Sequence, residues 1–343
     1  MKKIILAIAF ITAAGFVIAQ QKPYYTQYIL NNYILNPALS GIENYTDVKL
    51  SYRNQWTGLT GAPVTTYFSV HGPIGKQDYK TSATSFDMQG YNPRGKAYWD
   101  DYTVSPPHHG VGLIVMNDKT GFFNRFSAYG SYAYHKPLSG KTALSVGFTA
   151  GVTNVSLDRS KIVWGNLDPN DPAIGYNNGD LKKVKPELGA GLWLYSSKYF
   201  VGASVLNIIP NKIKFVKSSN YGDSFDPHFF ASAGYRIPLE NDFTVLPSVA
   251  VQYVNPEPVM LTGNLKLQYQ DLAWIGGSYR HSDLLGGYAV MAGVNIANTV
   301  NIGYSYDVAT TSRLKTYVGN THEIIIGFLL GNKYGDSCPR NLW

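Results

Sequence analysis

From about residue 48 onward, apolar and polar side chains alternate with a period of two. Leu144, Val146, Phe148, Ala150 and Val152 are interleaved with Ser145, Gly147, Thr149, Gly151 and Thr153. Val259, Leu261, Leu265, Leu267 and Tyr269 alternate in the same way with Thr262, Asn264, Lys266 and Gln268. Successive side chains of a strand point to opposite faces, so each run carries one oily and one polar face. The runs predict strands near 48–56, 63–72, 110–118, 122–136, 142–158, 186–196, 199–208, 227–238, 243–255, 258–269, 272–280, 287–296, 300–307 and 321–330. Many of them reach the roughly 9–11 residues that a tilted strand needs to cross a bilayer.

The oily face packs inward in a soluble sandwich; in a membrane barrel it meets lipid and the polar face lines the bore. The connections favour the barrel. If residue 48 starts in the periplasm, most returns to that side are tight: Pro137 to Lys141, Ser197-Lys198, Leu239 to Asp242, Gln270-Asp271 and Ala297 to Thr299. Several outward connections are long, at 159–185, 209–226 and 308–320. Short inner turns with long outer loops are characteristic of outer-membrane barrels. Residues 73–109 break the rule, being long on the inner side and containing Phe86, Tyr91, Tyr98, Trp99, Pro106 and Pro107. They form either a periplasmic docking loop, the favoured reading, or a hidden strand pair.

The first residues add a compartment. Lys2 and Lys3 precede an apolar run from Ile4 to Ile18, and Val17-Ile18-Ala19 offers a cleavage site, the pattern of a secretory signal peptide. At about fifteen residues the run falls short of the roughly 20 that span a bilayer as a helix. No later apolar run reaches that length. Charged residues make up 15% and aromatics 14%, with 27 tyrosines. A typical globular domain carries roughly 25% charged residues, so the chain is charge-poor and fits strands in lipid. The expected organisation is a signal peptide at 1–19, an N-terminal segment at 20–47, a transmembrane antiparallel β-barrel of about fourteen strands at 48–330, and a tail at 331–343. The segment Tyr24 to Ile42, rich in Tyr, Asn and Leu, is expected to fold into the bore or pack under the barrel; Tyr24, Tyr25, Tyr28, Asn36 and Pro37 are its candidate plug residues.

The net charge of +7 is spread out with no arginine-rich stripe, which argues against nucleic acid as a partner. Cys338 is the single cysteine, so neither an internal disulfide nor a cysteine metal site is expected. Gly110-Val111-Gly112 and Gly189-Ala190-Gly191 complete no phosphate motif and read as glycines in crowded strands. Asp168-Pro169-Asn170-Asp171 and Asn177-Asn178-Gly179-Asp180 carry oxygen ligands but lack EF-hand spacing, and they read as turns. His108-His109 lack a third ligand at useful spacing, and no serine sits in a nucleophile elbow. Neither an enzyme, a cofactor nor a metal is expected.

Several segments together resemble the PorP/SprF family of type IX secretion system outer-membrane proteins. They are Thr26-Gln27-Tyr28, Leu35-Asn36-Pro37-Ala38 with Gly41, Tyr52-Arg53-Asn54-Gln55-Trp56, Asn117-Asp118-Lys119-Thr120-Gly121, Gly303-Tyr304-Ser305-Tyr306-Asp307 and His322-Glu323-Ile324. Their order and spacing cover nearly the whole chain after the signal peptide. The stretch from about Asp78 to Pro107 resembles an insertion, and the end Cys338-Pro339-Arg340-Asn341-Leu342-Trp343 departs from the family's frequent Ser-Pro-Arg-Phe.

The resemblance implies an outer-membrane barrel with periplasmic termini that assists type IX secretion and the surface anchoring of cargo. It implies as partners gliding-adhesin-like proteins bearing a type B C-terminal sorting domain, other components of the apparatus, and outer-membrane lipids. From the residues themselves, aromatics on the outer loops are candidate partner contacts: Trp164, Tyr176, Tyr221, Phe225 and Tyr317. Their alternative role is the interfacial girdle of the barrel. The competing function is a channel or transporter for small solutes or hydrophobic compounds.

Overall fold

A computed structural model describes residues 26–76, 104–158, 181–209, 211–213, 223–239, 242–255, 258–270, 272–282, 286–296, 299–310 and 318–331. Three short 3-10 turns come first, at Thr26–Leu30, Asn32–Ile34 and Pro37–Leu39. Strands follow: β1 Thr46–Asn54, β2 Val64–Ile74, β3 His108–Thr120, β4 Phe123–Pro137, β5 Thr142–Leu157, β6 Leu181–Ser196 and β7 Tyr199–Leu206. A two-stranded ribbon, β8 Asn211–Ile213 with β9 Asp223–Phe225, stands apart from the main sheet. The sheet resumes with β10 His228–Tyr235, β11 Ile237–Pro238, β12 Phe243–Val254, β13 Met260–Tyr269, β14 Ala273–His281, β15 Gly287–Ile296, β16 Val300–Ala309 and β17 Thr321–Leu330.

Every neighbour pair is antiparallel, and the order along the chain is up-and-down. Two ladders close the circle: β1 pairs β17, with Arg53 opposite Glu323, and β10 pairs β12, with Ser232 opposite Ala250. β11 continues β10 against the same strand in the same register, so the two form one stave and the barrel has 14 strands. The break between them lies opposite Pro247, which has no N–H to give to the ladder. The strands agree with the alternation within a few residues, β6 starting earlier, at Leu181.

The wall is inside-out relative to a soluble protein. On β13, Leu261 and Leu265 are 48% and 56% exposed, while Thr262 and Lys266 are 4% and 1% exposed. Exposed aromatics gather near both edges of the outer surface. Tyr52, Phe126, Phe229, Tyr253 and Tyr279 lie toward the end where β1 finishes, and Tyr132, Tyr134, Tyr235, Tyr269 and Phe328 toward the end where β1 begins. Paired aromatic girdles around an apolar band are the signature of a barrel held in lipid. No described helix is long and apolar enough to cross a membrane.

At the end where β1 begins and β17 finishes, the connections 138–141, 197–198, 239–242, 270–272 and 297–299 are short, and 75–107 is long. The opposite end carries 55–63, 121–122, 158–180, 207–227, 255–259, 282–286 and 310–320. Residues 77–103, which include most of the expected docking loop, lie outside the described residues.

Leu265→Arg, on the outward face near mid-wall, should cost about 2–4 kcal/mol of stability in a bilayer. Ser278→Asn, on the inward face, should leave refolding into vesicles near wild type, as read by heat-modifiable gel mobility. Equal tolerance of both changes would contradict the inside-out assignment.

Candidate functional site

From residue 26 on, the N-terminal segment lies within the bore, packed on the inner wall. Ala38, Leu39, Ser40 and Ile42 are almost wholly buried, and Tyr28, Tyr33, Ile34 and Leu39 join one apolar cluster with Tyr67, Ile114, Tyr129, Trp193 and Phe200. The local chain favours compact turns. Pro37 sits at the first position of its 3-10 turn, and the Asn36 side-chain oxygen caps it by accepting from the Ala38 N–H at 3.0 Å.

Asn36 also reaches outward. Its side-chain amide donates to the backbone carbonyls of Leu192 on β6, at 3.0 Å, and Ala203 on β7, at 3.2 Å. Its oxygen and amide thus both have partners, a full use of its hydrogen-bonding capacity in a buried place. The Ser145 hydroxyl on β5 donates to the Ala38 carbonyl at 2.6 Å, and the Ser204 hydroxyl on β7 to the Leu35 carbonyl at 2.6 Å. Asn31 donates to Ser69 on β2 at 3.0 Å, and Asn264 on β13 donates to the Tyr28 hydroxyl at 2.5 Å. Tyr33 and Ser40 both bond the Ser131 hydroxyl on β4, at 2.6 and 2.8 Å. Burial pushes the Tyr33 hydroxyl up to about 12, so it stays neutral at physiological pH; its bonds to Ser131 and Ser40 oppose that shift.

Histidines hold the Ser40-Gly41 corner. His135 Nε2 lies 2.8 Å from the Ser40 carbonyl, which can only accept, so Nε2 carries the proton and Nδ1 faces the Tyr195 hydroxyl at 3.1 Å. His108 stacks on His135 with centroids 4.5 Å apart, and the Gly41 N–H donates to His71 Nδ1 at 3.3 Å.

Glycines on the inner wall make room for this segment. A Cβ on Gly110 would strike the Ser40 carbonyl, one on Gly112 the Tyr33 hydroxyl, one on Gly147 the backbone of Ala38, and one on Gly191 the Asn36 side chain. The two Gly-x-Gly runs of the sequence therefore supply Gly110, Gly112 and Gly191 to the cradle. Close backbone approach is the crowding that a strand glycine serves.

Nearer the other end, an ion network spans the closing seam. Arg53 on β1 contacts Glu323 on β17 at 2.9 Å and Asp307 on β16 at 3.2 Å, and Arg280 on β14 reaches Asp307 at 3.5 Å. Ser51 adds a bond to Glu323 at 3.4 Å. Arg53, Asp307 and Glu323 sit in three separate sequence motifs, and nothing in the motifs themselves signals that they meet. Around the bore, Lys185 pairs Glu187 at 2.9 Å and Thr65 donates to Asp118 at 2.7 Å.

Of the plug candidates, Tyr28, Asn36 and Pro37 meet the inner wall as described, and Tyr24 and Tyr25 lie outside the described residues. Of the partner candidates, Phe225 is on β9, with its backbone paired to Asn211. Trp164, Tyr176, Tyr221 and Tyr317 lie outside the described residues, as do Cys338 and the Asp168–Asp180 stretch. Among the described residues no group of His, Cys, Asp and Glu is arranged to hold a metal ion.

Asn36→Ala should cost about 1–3 kcal/mol, because it leaves the buried Ala38 N–H without its acceptor and removes the amide's bonds to two ladder carbonyls. Gly147→Val should displace the segment while sparing the barrel, so that the N-terminus becomes protease-sensitive but the heat-modifiable band persists. Arg53→Met, which strips the buried carboxylates of their shared cation, should cost about 3–5 kcal/mol in thermal unfolding. An unchanged melting temperature would deny the seam its structural role.

A comparison with curated proteins finds no match. Among solved structures, the chain is similar to the CymD monoaromatic hydrocarbon channel, with 12% identity, 88% of this chain and 93% of that chain covered, and a TM-score of 0.50. It is also similar to the Pseudomonas putida toluene transporter TodX, with 9% identity, 90% and 94% coverage and a TM-score of 0.47. The Acinetobacter baumannii outer membrane protein Omp33 shows 8% identity, 85% and 100% coverage and a TM-score of 0.45. At such identities a likeness concerns the fold alone. Family membership rests on the sequence: the model of the type IX secretion system membrane protein PorP/SprF matches residues 17–328, nearly the whole chain, and this outer-membrane barrel belongs to that family.

Proposed function

We propose that this chain assists the export of cargo proteins through the type IX system and anchors them at the cell surface, and that it is neither an open pore nor an enzyme. The cargo is of the gliding-adhesin kind, ending in a type B C-terminal sorting domain and held at the extracellular face. The observation that carries the reading is the hydrogen-bonded segment inside the bore, tied to β2, β4, β5, β6, β7 and β13. A bore crossed in this way is poorly suited to solute flux, which leaves the rims and loops as the working surfaces.

On this reading the end opposite the termini is extracellular and both termini are periplasmic. The longer connections at that end supply Trp164, Tyr176, Tyr221, Phe225 and Tyr317 as cargo contacts. Such aromatics bury a large area and keep a polar handle, which suits recognition. Other components of the apparatus approach from the periplasmic side, where the 75–107 connection lies, and outer-membrane lipids surround the wall.

Gentle extraction of a C-terminally tagged chain from its native membrane should bring down a stoichiometric surface protein. Purified protein in liposomes should pass small solutes no faster than empty vesicles. Deleting residues 209–226 should release cargo while the barrel stays folded, and retained cargo would remove that loop from the contact surface. Free solute flux with no co-purifying protein would favour the alternative, a channel for small solutes or hydrophobic compounds.

A further inference from the structure

The inner face of a membrane barrel is ordinarily polar. Between the N-terminal segment and one side of this wall, apolar surface outweighs polar surface. Ile34 from the segment, Met116 on β3, Leu206 on β7, Phe230 on β10, Ala250 on β12 and Met260 on β13 enclose a chamber of about 70 Å³. Among the described residues that line it, Glu187 is the one charged group, and that carboxylate is already paired with Lys185.

We propose that this chamber is a binding site for a small, uncharged apolar molecule, of the size of one aromatic ring. Its space corresponds to on the order of five water-sized positions, yet each buried water needs two to four polar partners. The Asn207 amide and the Trp193 N–H offer such partners, whereas the stretch of Ile34, Met116, Phe230, Ala250 and Met260 offers none, so a hydrocarbon-like molecule suits that stretch better than water. A ring demands about twice the room that the chamber now has. Met116 and Met260 supply it, because methionine is the most adaptable of the apolar side chains and its sulfur makes favourable contacts with ring edges. The lining of Phe230 and Tyr129 suits the same guest. Gln252, toward the end where β1 finishes, leaves one rim of the chamber able to hydrogen-bond a single polar substituent.

Because Ile34 and Tyr28 form part of the chamber, an occupied site also holds the N-terminal segment in place. The proposal does not depend on cargo anchoring, and the two fail separately.

Crystals of the full chain, soaked with iodobenzene, would locate the guest through the anomalous signal of iodine. Wild type should show iodine inside the chamber. Ala250→Phe, which fills the space, should abolish that peak while leaving the barrel folded and cargo bound. Met116→Ala, which enlarges it, should retain the peak and extend binding to iodonaphthalene. Iodine found only on the lipid-facing surface of wild type, or ordered waters in the chamber, would overturn the proposal. So would an unchanged peak in Ala250→Phe.

Discussion

A backbone amide that enters the hydrocarbon layer has no water to bond, so its partner must come from the protein. The whole architecture follows from meeting that demand at every strand, and the demand is met only when the sheet closes. The β1–β17 and β10–β12 ladders turn a long meander into a closed circle. Prolines fall where the ladder can spare a donor. Pro247 lies opposite the break between β10 and β11, and Pro186 lies on the part of β6 beyond the described ladder to β7.

Closure creates a second problem, an interior lined with polar groups. Part of it is solved by the wall itself, through Arg53, Asp307 and Glu323 across the seam. With Arg280 of β14 joining at Asp307, two cations offset the two carboxylates where few waters can reach. The other part is solved by the N-terminal segment, which brings backbone carbonyls to the Ser145 and Ser204 hydroxyls and a side-chain amide to Leu192 and Ala203. Polar wall residues and an uncharged, aromatic-rich segment are complementary, and glycines allow the two backbones to approach.

The strand pattern is legible in the sequence because it is local. A period of two needs only neighbouring residues, and burial against lipid on one side imposes it on every spanning strand. Turn residues mark the short connections for the same reason. The two Gly-x-Gly runs can be read from the sequence only as crowded strands; that what crowds them is Ser40, Tyr33 and Asn36 cannot.

Sequence by itself thus determined an inside-out antiparallel barrel, its number of staves and the aromatic, nearly uncharged character of the N-terminal segment. Tertiary structure alone decided that Asn36 bonds the backbones of β6 and β7, that Gly147 lies under Ala38, and that Arg53 meets both Asp307 and Glu323. The reason is one of range. Alternation repeats every second residue and can be read within one strand, whereas which inward residues meet across a bore depends on the tilt and stagger at which the barrel closes. That stagger is a property of all the ladders together, and no single segment carries it.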